Sequence, residues 1–171
     1  MGKNQEEIIY GFYDSAIGEM VLAQSDLGLC WLGFMVEGYK GNGFERMKRH
    51  FPDAEFTRDD LLIAALGDRV MDAWCAGREA DIHLDLRGTE FQLSVWQALL
   101  NIKRGDVCSY GEIANDIGRN KAARAVGSAV GSNPVSLIVP CHRVVQQSGQ
   151  LGNYGWGVDL KHQLLAEEQG S

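Results

Sequence analysis

Long apolar runs are missing from this sequence. Although 45% of the 171 residues are hydrophobic, no segment approaches the roughly 20 consecutive apolar residues that a membrane-spanning helix requires. The opening segment, MGKNQEEIIYG, also lacks the apolar core of a secretory signal. The composition is that of a globular chain and not of a disordered or fibrous one. We therefore expect a cytoplasmic protein with no membrane partner.

Closely spaced cysteines are missing as well. The four cysteines lie far apart and form no CxxC pair, which excludes a zinc finger and a disulfide scaffold. We expect neither a metal nor a cofactor. Cys30, Cys75 and Cys108 are interpreted as small buried hydrophobic residues, which is the commoner fate of a free cysteine. Cys141 is the candidate for a reactive thiol.

Acidic residues are absent between positions 117 and 158, in a chain whose net charge is −7. The same window holds Arg119, Lys121, Arg124 and Arg143. The overall charge argues weakly against a nucleic acid partner, because phosphate contacts need Lys and Arg. The local excess of positive charge instead allows a basic face on an acidic protein, which is the distribution that matters for DNA. A solvated charge cluster would look the same.

A small α/β domain with an antiparallel sheet is predicted over residues 1–85. Extended segments fill 8–36, with Gly18 and residues 26–28 as turns between them. Helices are predicted at 43–50 and 59–75, the second because apolar residues recur at three-to-four spacing. Those residues are Leu61, Leu62, Ala65, Leu66, Val70 and Trp74. No catalytic constellation is visible in this half.

A mostly helical domain is predicted over residues 86–171, so that the fold class is α/β in an α+β arrangement. Thr89 and Gln92 have the spacing of a capping box before a first helix. Ser109 and Glu112 repeat that spacing before a second helix, which a turn at 118–120 separates from a third helix at 121–131. The last two helices have the outline of a helix-turn-helix. Any helical hairpin would share that outline.

The third of these helices carries almost only small side chains around Arg124. They are Ala122, Ala123, Ala125, Gly127, Ser128, Ala129, Gly131 and Ser132. Such a surface lets the backbone approach something narrow. Tight helix packing explains part of the set, but it does not explain an arginine in the middle.

A Pro-Cys-His-Arg sequence at 140–143 follows an apolar run, 135–139, that is predicted as a buried strand. Pro140 fixes its own φ and favours an extended residue before it, so Cys141 is expected at a rigid bend. A free thiol has a pKa of about 8.5, so an attacking cysteine needs a base or a positive field nearby. His142 and Arg143 are the candidates.

The neighbour of the cysteine is expected to act indirectly. Adjacent residues on an extended chain point opposite ways, so His142 would reach Cys141 only around the bend or through a water. A carboxylate should orient the imidazole. The C-terminal helix, predicted at about 160–168, offers Glu167 and Glu168, and spacing does not choose between them.

These residues stand in a longer series of motifs. Pro-Cys-His-Arg-Val at 140–144 is accompanied by Ser-Asn-Pro-Val at 132–135, Lys-Ala-Ala-Arg-Ala-Val-Gly at 121–127, Ser-Tyr-Gly-Glu-Ile-Ala at 109–114, Gly-Asn-Tyr at 152–154 and Lys-His-Gln-Leu-Leu-Ala-Glu-Glu at 161–168. The series resembles the signature of the O6-alkylguanine-DNA alkyltransferases, also called methylated-DNA protein-cysteine methyltransferases. It covers 89–169 and, more loosely, the first domain. Several ungapped motifs in order are far more specific than a lone Cys-His pair.

The resemblance implies a reaction and its machinery. Cys141 would accept an alkyl group irreversibly and once, from O6 of guanine in double-stranded DNA, with O4 of thymine as a further substrate to test. His142 would be the base, acting through a water, and Glu168 the carboxylate that holds it. Asn133 would be a hinge that ties the recognition helix to the active-site turn. We expect the protein to act as a monomer.

The resemblance also implies how a flipped nucleotide is bound. Tyr110 would push on its phosphate and donate to the purine, while Arg124 would fill the hole left in the base stack. The small residues of the recognition helix would fit the minor groove. The residues of this helix that are expected to contact DNA are Ala123, Ala125 and Gly127.

The pocket itself follows from the same resemblance. Tyr154 would form its wall, and the backbone carbonyls of Cys141 and Val144 with the amide of Gly155 would read the base edge. Gly155 stands where relatives often have Ser, and Lys103 where many have Pro. We expect these departures to alter affinity without abolishing activity.

Two other functions remain open at this point. A lesion-binding module without catalysis, like the alkyltransferase-like proteins, would have Trp or another residue at the cysteine position, so Cys141 argues against it. A Cys-His-Glu hydrolase or thiol peptidase would need an oxyanion hole and turnover. It would not need Tyr110, Arg124 or a helix-turn-helix.

Overall fold

The chain divides into two compact units in the computed structural model, Met1–Leu86 and Arg87–Ser171. The structure describes residues 6–37 and 40–170. Within these residues no helix is both long and apolar enough to cross a membrane. The assignment of the alkyl-transfer function to residues 86–171 stays a prediction at this stage.

A four-stranded sheet forms the centre of the first unit. Its strands are β1 (Glu7–Ser15), β2 (Gly18–Ser25), β3 (Gly28–Phe34) and β4 (Glu55–Arg58), in the order β3-β2-β1-β4. β1, β2 and β3 pair antiparallel, which confirms the extended segments predicted at 8–36. β4 pairs parallel with β1 and was not predicted, because its four residues are mostly exposed at the sheet edge and show no apolar alternation.

Two helices, α1 (Gly43–His50) and α2 (Asp60–Ala76), complete the first unit. α1 has its predicted bounds and begins with a capping box. α2 lies one residue later than predicted at each end. Its buried face includes Leu66, Val70 and Trp74, as expected, but Leu61, Leu62 and Ala65 are exposed. The predicted stripe was wrong at these three positions, because the buried face of the helix begins at Ile63.

The second unit consists of four helices and two short strands. They are α3 (Glu90–Leu99), β5 (Cys108–Ser109), α4 (Tyr110–Asp116), α5 (Ala123–Gly131), β6 (Val144–Val145) and α6 (Val158–Gln169). β5 and β6 pair parallel. The mixed α+β composition of the two units confirms the predicted fold class.

The helix starts of the second unit follow the sequence closely. The capping box of Thr89 and Gln92 is present at α3. The second one is only half formed: the Ser109 hydroxyl accepts the Glu112 amide at 3.1 Å, whereas the Glu112 carboxylate accepts from the thiol of Cys108 at 3.4 Å. The capping-box prediction was therefore wrong for Glu112.

Helices α3, α4 and α5 pack around a common apolar core. Trp96 is buried, and its indole N–H donates to the carbonyl of Ala129 at 2.9 Å. Ile113 of α4 and Val126 of α5 are also fully buried. α4 and α5 are joined by residues 117–122 and contact each other. The third predicted helix thus begins two residues later than expected, at Ala123.

The predicted strand at 135–139 is instead a buried turn. The Ile138 amide donates to Ser136 at 2.8 Å and the Val139 amide to Val135 at 3.0 Å, while Leu137 has a φ of 73°. All five residues are buried. A short apolar run of this kind has no periodicity from which a strand and a compact buried segment can be distinguished.

The four cysteines lie in three kinds of environment. Cys30 and Cys141 are buried, Cys108 is intermediate and Cys75 is exposed. The prediction of a buried side chain was therefore wrong for Cys75, which lies in the last turn of α2, where the helix faces solvent.

Candidate active site

Cys141 lies in a tight helical turn after Pro140. Residues Cys141–Arg143 form one turn of 3₁₀ helix, in which the Arg143 amide donates to the carbonyl of Pro140 at 2.9 Å. The side chain of Cys141 is buried, at 6% exposure, and His142 is completely buried. The expected rigid bend is present, but the extended geometry assumed for Cys141 and His142 was wrong. In a helical turn the two side chains diverge by about a third of a revolution instead of pointing to opposite sides.

Asn133 connects the end of α5 to this turn. Its side-chain amide donates to the carbonyl of Val139 at 2.8 Å, and its side-chain oxygen accepts the amide of Val135 at 3.0 Å. Asn133 is buried and follows α5 by two residues. One side chain thus fixes both ends of the buried turn that carries the cysteine. This is the arrangement that a hinge requires.

Glu168 binds His142 and Arg143 together. Its carboxylate contacts Nε2 of His142 at 2.8 Å and accepts from Nε and Nη2 of Arg143 at 3.0 and 2.7 Å. The third arm of Arg143, Nη1, donates to the carbonyl of Ile102 at 2.8 Å. Glu168 is buried, whereas Glu167 is exposed. The geometry therefore selects Glu168 from the two carboxylates that spacing left open.

The position of Arg143 corrects the basic face inferred from the sequence. Its guanidinium is 2% exposed and forms an ion pair with Glu168, so it presents no charge to solvent. Arg119, Lys121 and Arg124 of the same window are exposed. Three residues of that window, and not four, are therefore exposed and available to the predicted basic face.

The charge state of Glu168 fixes the hydrogen bond to the imidazole. Burial opposes ionisation, but hydrogen bonds from His142 and Arg143 outweigh it and lower the pKa of Glu168 to about 2. An ionised carboxylate can only accept, so Nε2 of His142 donates. In the neutral ring the lone pair is then on Nδ1, which is also buried. Nδ1 is the atom that can take a proton.

The thiol of Cys141 is held in its protonated form. Burial raises its pKa, although Asn133, Lys161 and Tyr154 each act to lower it. In the resting site, loss of hydration outweighs the surrounding hydrogen bonds and charge. Reaction therefore requires a base.

Lys161 is the residue that sequence reasoning missed. It is completely buried, and its ammonium donates to the carbonyls of Val144, Leu151 and Asn153 at 2.6, 2.5 and 3.4 Å. A sequence signal existed, since Lys161, Leu164 and Glu168 share the three-to-four spacing of the buried face of α6. The positive charge of Lys161 instead favoured placing this residue on the exposed face of α6.

Two tyrosines flank the thiol. Tyr110, at the start of α4, is partly buried, and both its burial and its proximity to Cys141 raise its pKa. A Cβ on Gly127 would lie 3.9 Å from the ring of Tyr110, so α5 approaches this ring closely. Tyr154 is partly buried and acts to lower the pKa of Cys141.

The predicted site residues therefore form two groups. The structure brings six of them together around the thiol: Asn133, Tyr110, Cys141, His142, Tyr154 and Glu168. Ala123, Arg124 and Ala125 lie on the exposed face of α5, and Gly155 is exposed as well. Val144 is buried, and its carbonyl already accepts from Lys161.

The fold and the site define a class of protein: a two-unit α+β protein in which a buried cysteine is followed by a buried histidine and arginine that share one carboxylate. Residues 90–170 match the family described as 6-O-methylguanine DNA methyltransferase, DNA binding domain. The chain is 41% identical over 161 residues to the methylated-DNA–protein-cysteine methyltransferase of Methanosarcina acetivorans, covering 93% of this chain and 97% of that protein.

Solved structures give the same assignment. The crystal structure of Mycobacterium tuberculosis O6-methylguanine methyltransferase is 42% identical, with a TM-score of 0.78, over 95% of this chain and 93% of that one. The crystal structure of Mycobacterium tuberculosis OGT in complex with DNA is 41% identical, with the same TM-score and coverage. This chain belongs to the methylated-DNA–protein-cysteine methyltransferase family, which confirms the family predicted from the sequence motifs.

Proposed function

We propose that this protein repairs DNA by moving an alkyl group from O6 of guanine onto Sγ of Cys141. The observation that carries the proposal is the buried thiol beside an imidazole that Glu168 holds with Nε2 as donor. Family membership supports the same reaction. Methyl is the proposed group and O4 of thymine a second site of attack.

The reaction forms one bond and breaks another. The thiol proton moves to Nδ1 of His142, directly or through a water, and the thiolate attacks the alkyl carbon. The bond between that carbon and O6 breaks while the S–C bond forms. The guanine leaves as an anion and regains a proton from the imidazolium. The product is an intact guanine and an S-alkylcysteine.

Access to O6 requires the nucleotide to leave the duplex. Base flipping costs a few kcal/mol, which a side chain that occupies the vacated stack can partly restore. Arg124 is exposed among small residues of α5, where it can enter a narrow groove. Tyr110 and Tyr154 flank the thiol and are the proposed walls of the base pocket. The backbone of Gly155 is proposed to contact the base edge.

The protein is proposed to act as a monomer on double-stranded DNA in the cytoplasm. All residues placed in the site belong to the unit Arg87–Ser171 of one chain, so no second copy is needed to complete it. Light scattering should give the mass of a single chain, both alone and after alkylation.

The test is the mass of the intact protein after incubation with excess methylated duplex DNA. We expect one added methyl group per chain, resistant to reducing agents and mapped to Cys141, and none in Cys141→Ala. A thioether offers water no good leaving group, so each chain should react once. Multiple turnovers would indicate a thiol hydrolase, and lesion binding without any added mass would indicate a non-catalytic binding protein.

A further inference from the structure

The C-terminal end of α5 is held by hydrogen-bond donors that belong to α3. Nε2 of Gln92 donates to the hydroxyl of Ser132 at 3.1 Å, and Ser132 is the C-cap of α5. The Ser132 hydroxyl donates in turn to the carbonyl of Ala129 at 3.0 Å. The indole N–H of Trp96 donates to the same carbonyl at 2.9 Å. The two helices are thus joined by hydrogen bonds as well as by apolar packing.

The ends of α5 are weakly specified by its own side chains. Its N-cap residue is Ala122, and alanine has no side-chain oxygen that could accept an amide of the first turn. The last turn of the helix contains no lysine or arginine that could bind its terminal carbonyls. A helix of this length also depends on tertiary contacts for its stability. The position of α5 is therefore sensitive to the contacts that α3 makes with its C-terminal end.

Gln92 uses the two ends of its side-chain amide for different contacts. Oε1 accepts the backbone amide of Thr89 at 2.9 Å and completes the capping box of α3, while Nε2 reaches Ser132. A Cβ on Gly88 would lie 2.7 Å from Oε1, so the amide is closely confined. Glutamate would serve a capping box equally well, but an ionised carboxylate cannot donate to Ser132. The contact with α5 is therefore what distinguishes glutamine from glutamate at this position.

The active-site turn is held separately from this contact. Asn133 follows Ser132 directly, and its side chain bonds to Val135 and Val139 within the turn itself. Neither bond passes through Gln92 or Ser132. Loss of the bond between α3 and α5 should consequently displace the helix and leave the turn that carries Cys141 intact.

Resting on the proposed function, we infer that Gln92 is a positioning residue, which holds the end of α5 through Ser132 so that Arg124 reaches the place of the flipped base. Arg124 and Ser132 are eight residues apart, which corresponds to about 12 Å along a helix axis. A small tilt at the C-terminal end is therefore amplified at Arg124. A free base leaves no vacated stack to fill, so this contribution belongs to duplex repair alone.

A double-mutant cycle of Gln92→Met and Ser132→Ala tests the inference. The measured quantity is the single-turnover rate constant, on saturating methylated duplex DNA and on free O6-benzylguanine. We expect Gln92→Met to slow duplex repair about fivefold in the wild-type background and less than about twofold in Ser132→Ala, since the acceptor of the bond is then absent. On the free base, the rate constant of Gln92→Met should stay within about twofold of the wild-type value.

Two further variants of α3 and its cap are the matched controls. Gln97→Met makes the same substitution at an exposed position of the helix. Thr89→Ala removes the side-chain acceptor of the capping box and leaves the side chains of Gln92 and Ser132 in place. Both controls should keep the wild-type rate constants on the two substrates.

Three results would overturn the inference. Equal slowing by Gln92→Met in both backgrounds would show that Gln92 acts without Ser132, and equal slowing on both substrates would show that the bond supports the active-site turn. A duplex-specific loss of the same size in Thr89→Ala would assign the effect to helix capping. If Gln92→Met does not fold, as judged by circular dichroism, Gln92→Glu replaces it in the cycle, because it keeps the acceptor for Thr89 and removes the donor to Ser132. Failure of the wild-type protein to gain an alkyl group from either substrate would instead contradict the proposed function.

Discussion

At the scale of single residues, Glu168 couples folding to pH. Its carboxylate has a pKa lowered to about 2 from the ordinary 4.5, and a group of this kind stabilises the fold above its unfolded pKa and loses that effect as pH falls through the folded value. The difference corresponds to roughly 3 kcal/mol. We expect the free energy of unfolding of Glu168→Gln, measured in urea, to lack this loss between about pH 4.5 and 2.

Glu167→Gln is the control for that measurement, because Glu167 is exposed one residue away. Its stability should follow the wild-type curve over the same range. A wild-type pH dependence that Glu168→Gln reproduces in full would show that other carboxylates account for it.

The same residue is proposed to influence activation of the thiol through its hydrogen bond with His142. Because burial raises the pKa of Cys141, transfer in the absence of a base should depend on alkaline pH. We expect His142→Ala to slow transfer of the benzyl group from free O6-benzylguanine to Cys141 by about 100-fold or more, and to move the alkaline rise of the rate to higher pH. Glu168→Gln should do the same more weakly, with the rate measured from pH 6 to 10.

Glu167→Gln should leave this pH profile unchanged. A shift produced by Glu167→Gln and not by Glu168→Gln would reverse the assignment of the carboxylate. If the pH profile is unchanged in Glu167→Gln, Glu168→Gln and His142→Ala, activation of the thiol would be assigned to Lys161 and to the electric field of the backbone dipoles.

Sequence motifs predicted the candidate reacting residues but not their surroundings. Cys141 and His142 were predicted from the Pro-Cys-His-Arg sequence, Asn133 and the choice of Glu168 through a resemblance, and the structure connects His142 to Glu168 and Asn133 to the turn before Cys141. Spacing alone left Glu167 and Glu168 equivalent, since only three-dimensional packing determines which one is buried. Arg143 was misassigned to the surface for the same reason, because the sequence does not show that this arginine forms a buried ion pair with Glu168.

At the scale of secondary structure, α5 presents Arg124, the residue proposed to occupy the place of the flipped base. Arg124 is exposed, whereas Val126, Ala129 and Val130 form the buried face of the helix. Arg124→Ala should therefore leave the fold intact. We expect it to slow repair of duplex DNA about tenfold or more while hardly changing dealkylation of free O6-benzylguanine, which needs no flipping.

Arg69→Ala, on α2 of the first unit and also exposed, is the control and should affect neither substrate. Single-turnover rate constants on the two substrates are the measurement. Equal losses on both substrates in Arg124→Ala would mean that Arg124 serves folding or chemistry and not the vacated stack.

Secondary structure was predictable wherever a local signal existed. α1 and α3 have capping boxes at their starts, and the antiparallel strands are separated by glycine-containing turns. β4 and the pair of β5 and β6 have two to four residues each, too few for a periodicity, and they depend on partners distant in the chain. The prediction of a strand at 135–139 was wrong for a related reason. The apolar composition of this segment is that of a buried strand, whereas its backbone hydrogen bonds are local and form a turn.

At the scale of the whole molecule, charge is unevenly distributed. Residues 1–86 contain 16 acidic and 8 basic residues, whereas residues 87–171 contain 7 acidic and 8 basic ones. An acidic first unit gives no attraction to phosphate, so DNA affinity must arise from the second. Three exposed basic residues, Arg119, Lys121 and Arg124, lie in and around its helix pair.

The salt dependence of DNA binding should reflect these few charges. If all three contact phosphates, the slope of log K against log salt should be about −3, since each contact contributes roughly −0.9. The slope can be measured by fluorescence anisotropy of a labelled duplex at salt concentrations between about 50 and 200 mM. Lys121→Ala should make the slope shallower, and Arg69→Ala should not. A slope near zero would exclude phosphate contacts as the source of affinity.

The seclusion of Cys141 determines how long an unreacted molecule remains competent. A nucleophile that works once is lost to any stray electrophile or oxidant that reaches it, and thiolates react far faster than thiols. In the resting protein this sulfur is 6% exposed and burial raises its pKa, whereas Cys75 is open to solvent. Oxidants and electrophiles should therefore modify Cys75 before Cys141. The lifetime of the unreacted protein is then set by how often Cys141 becomes exposed to solvent.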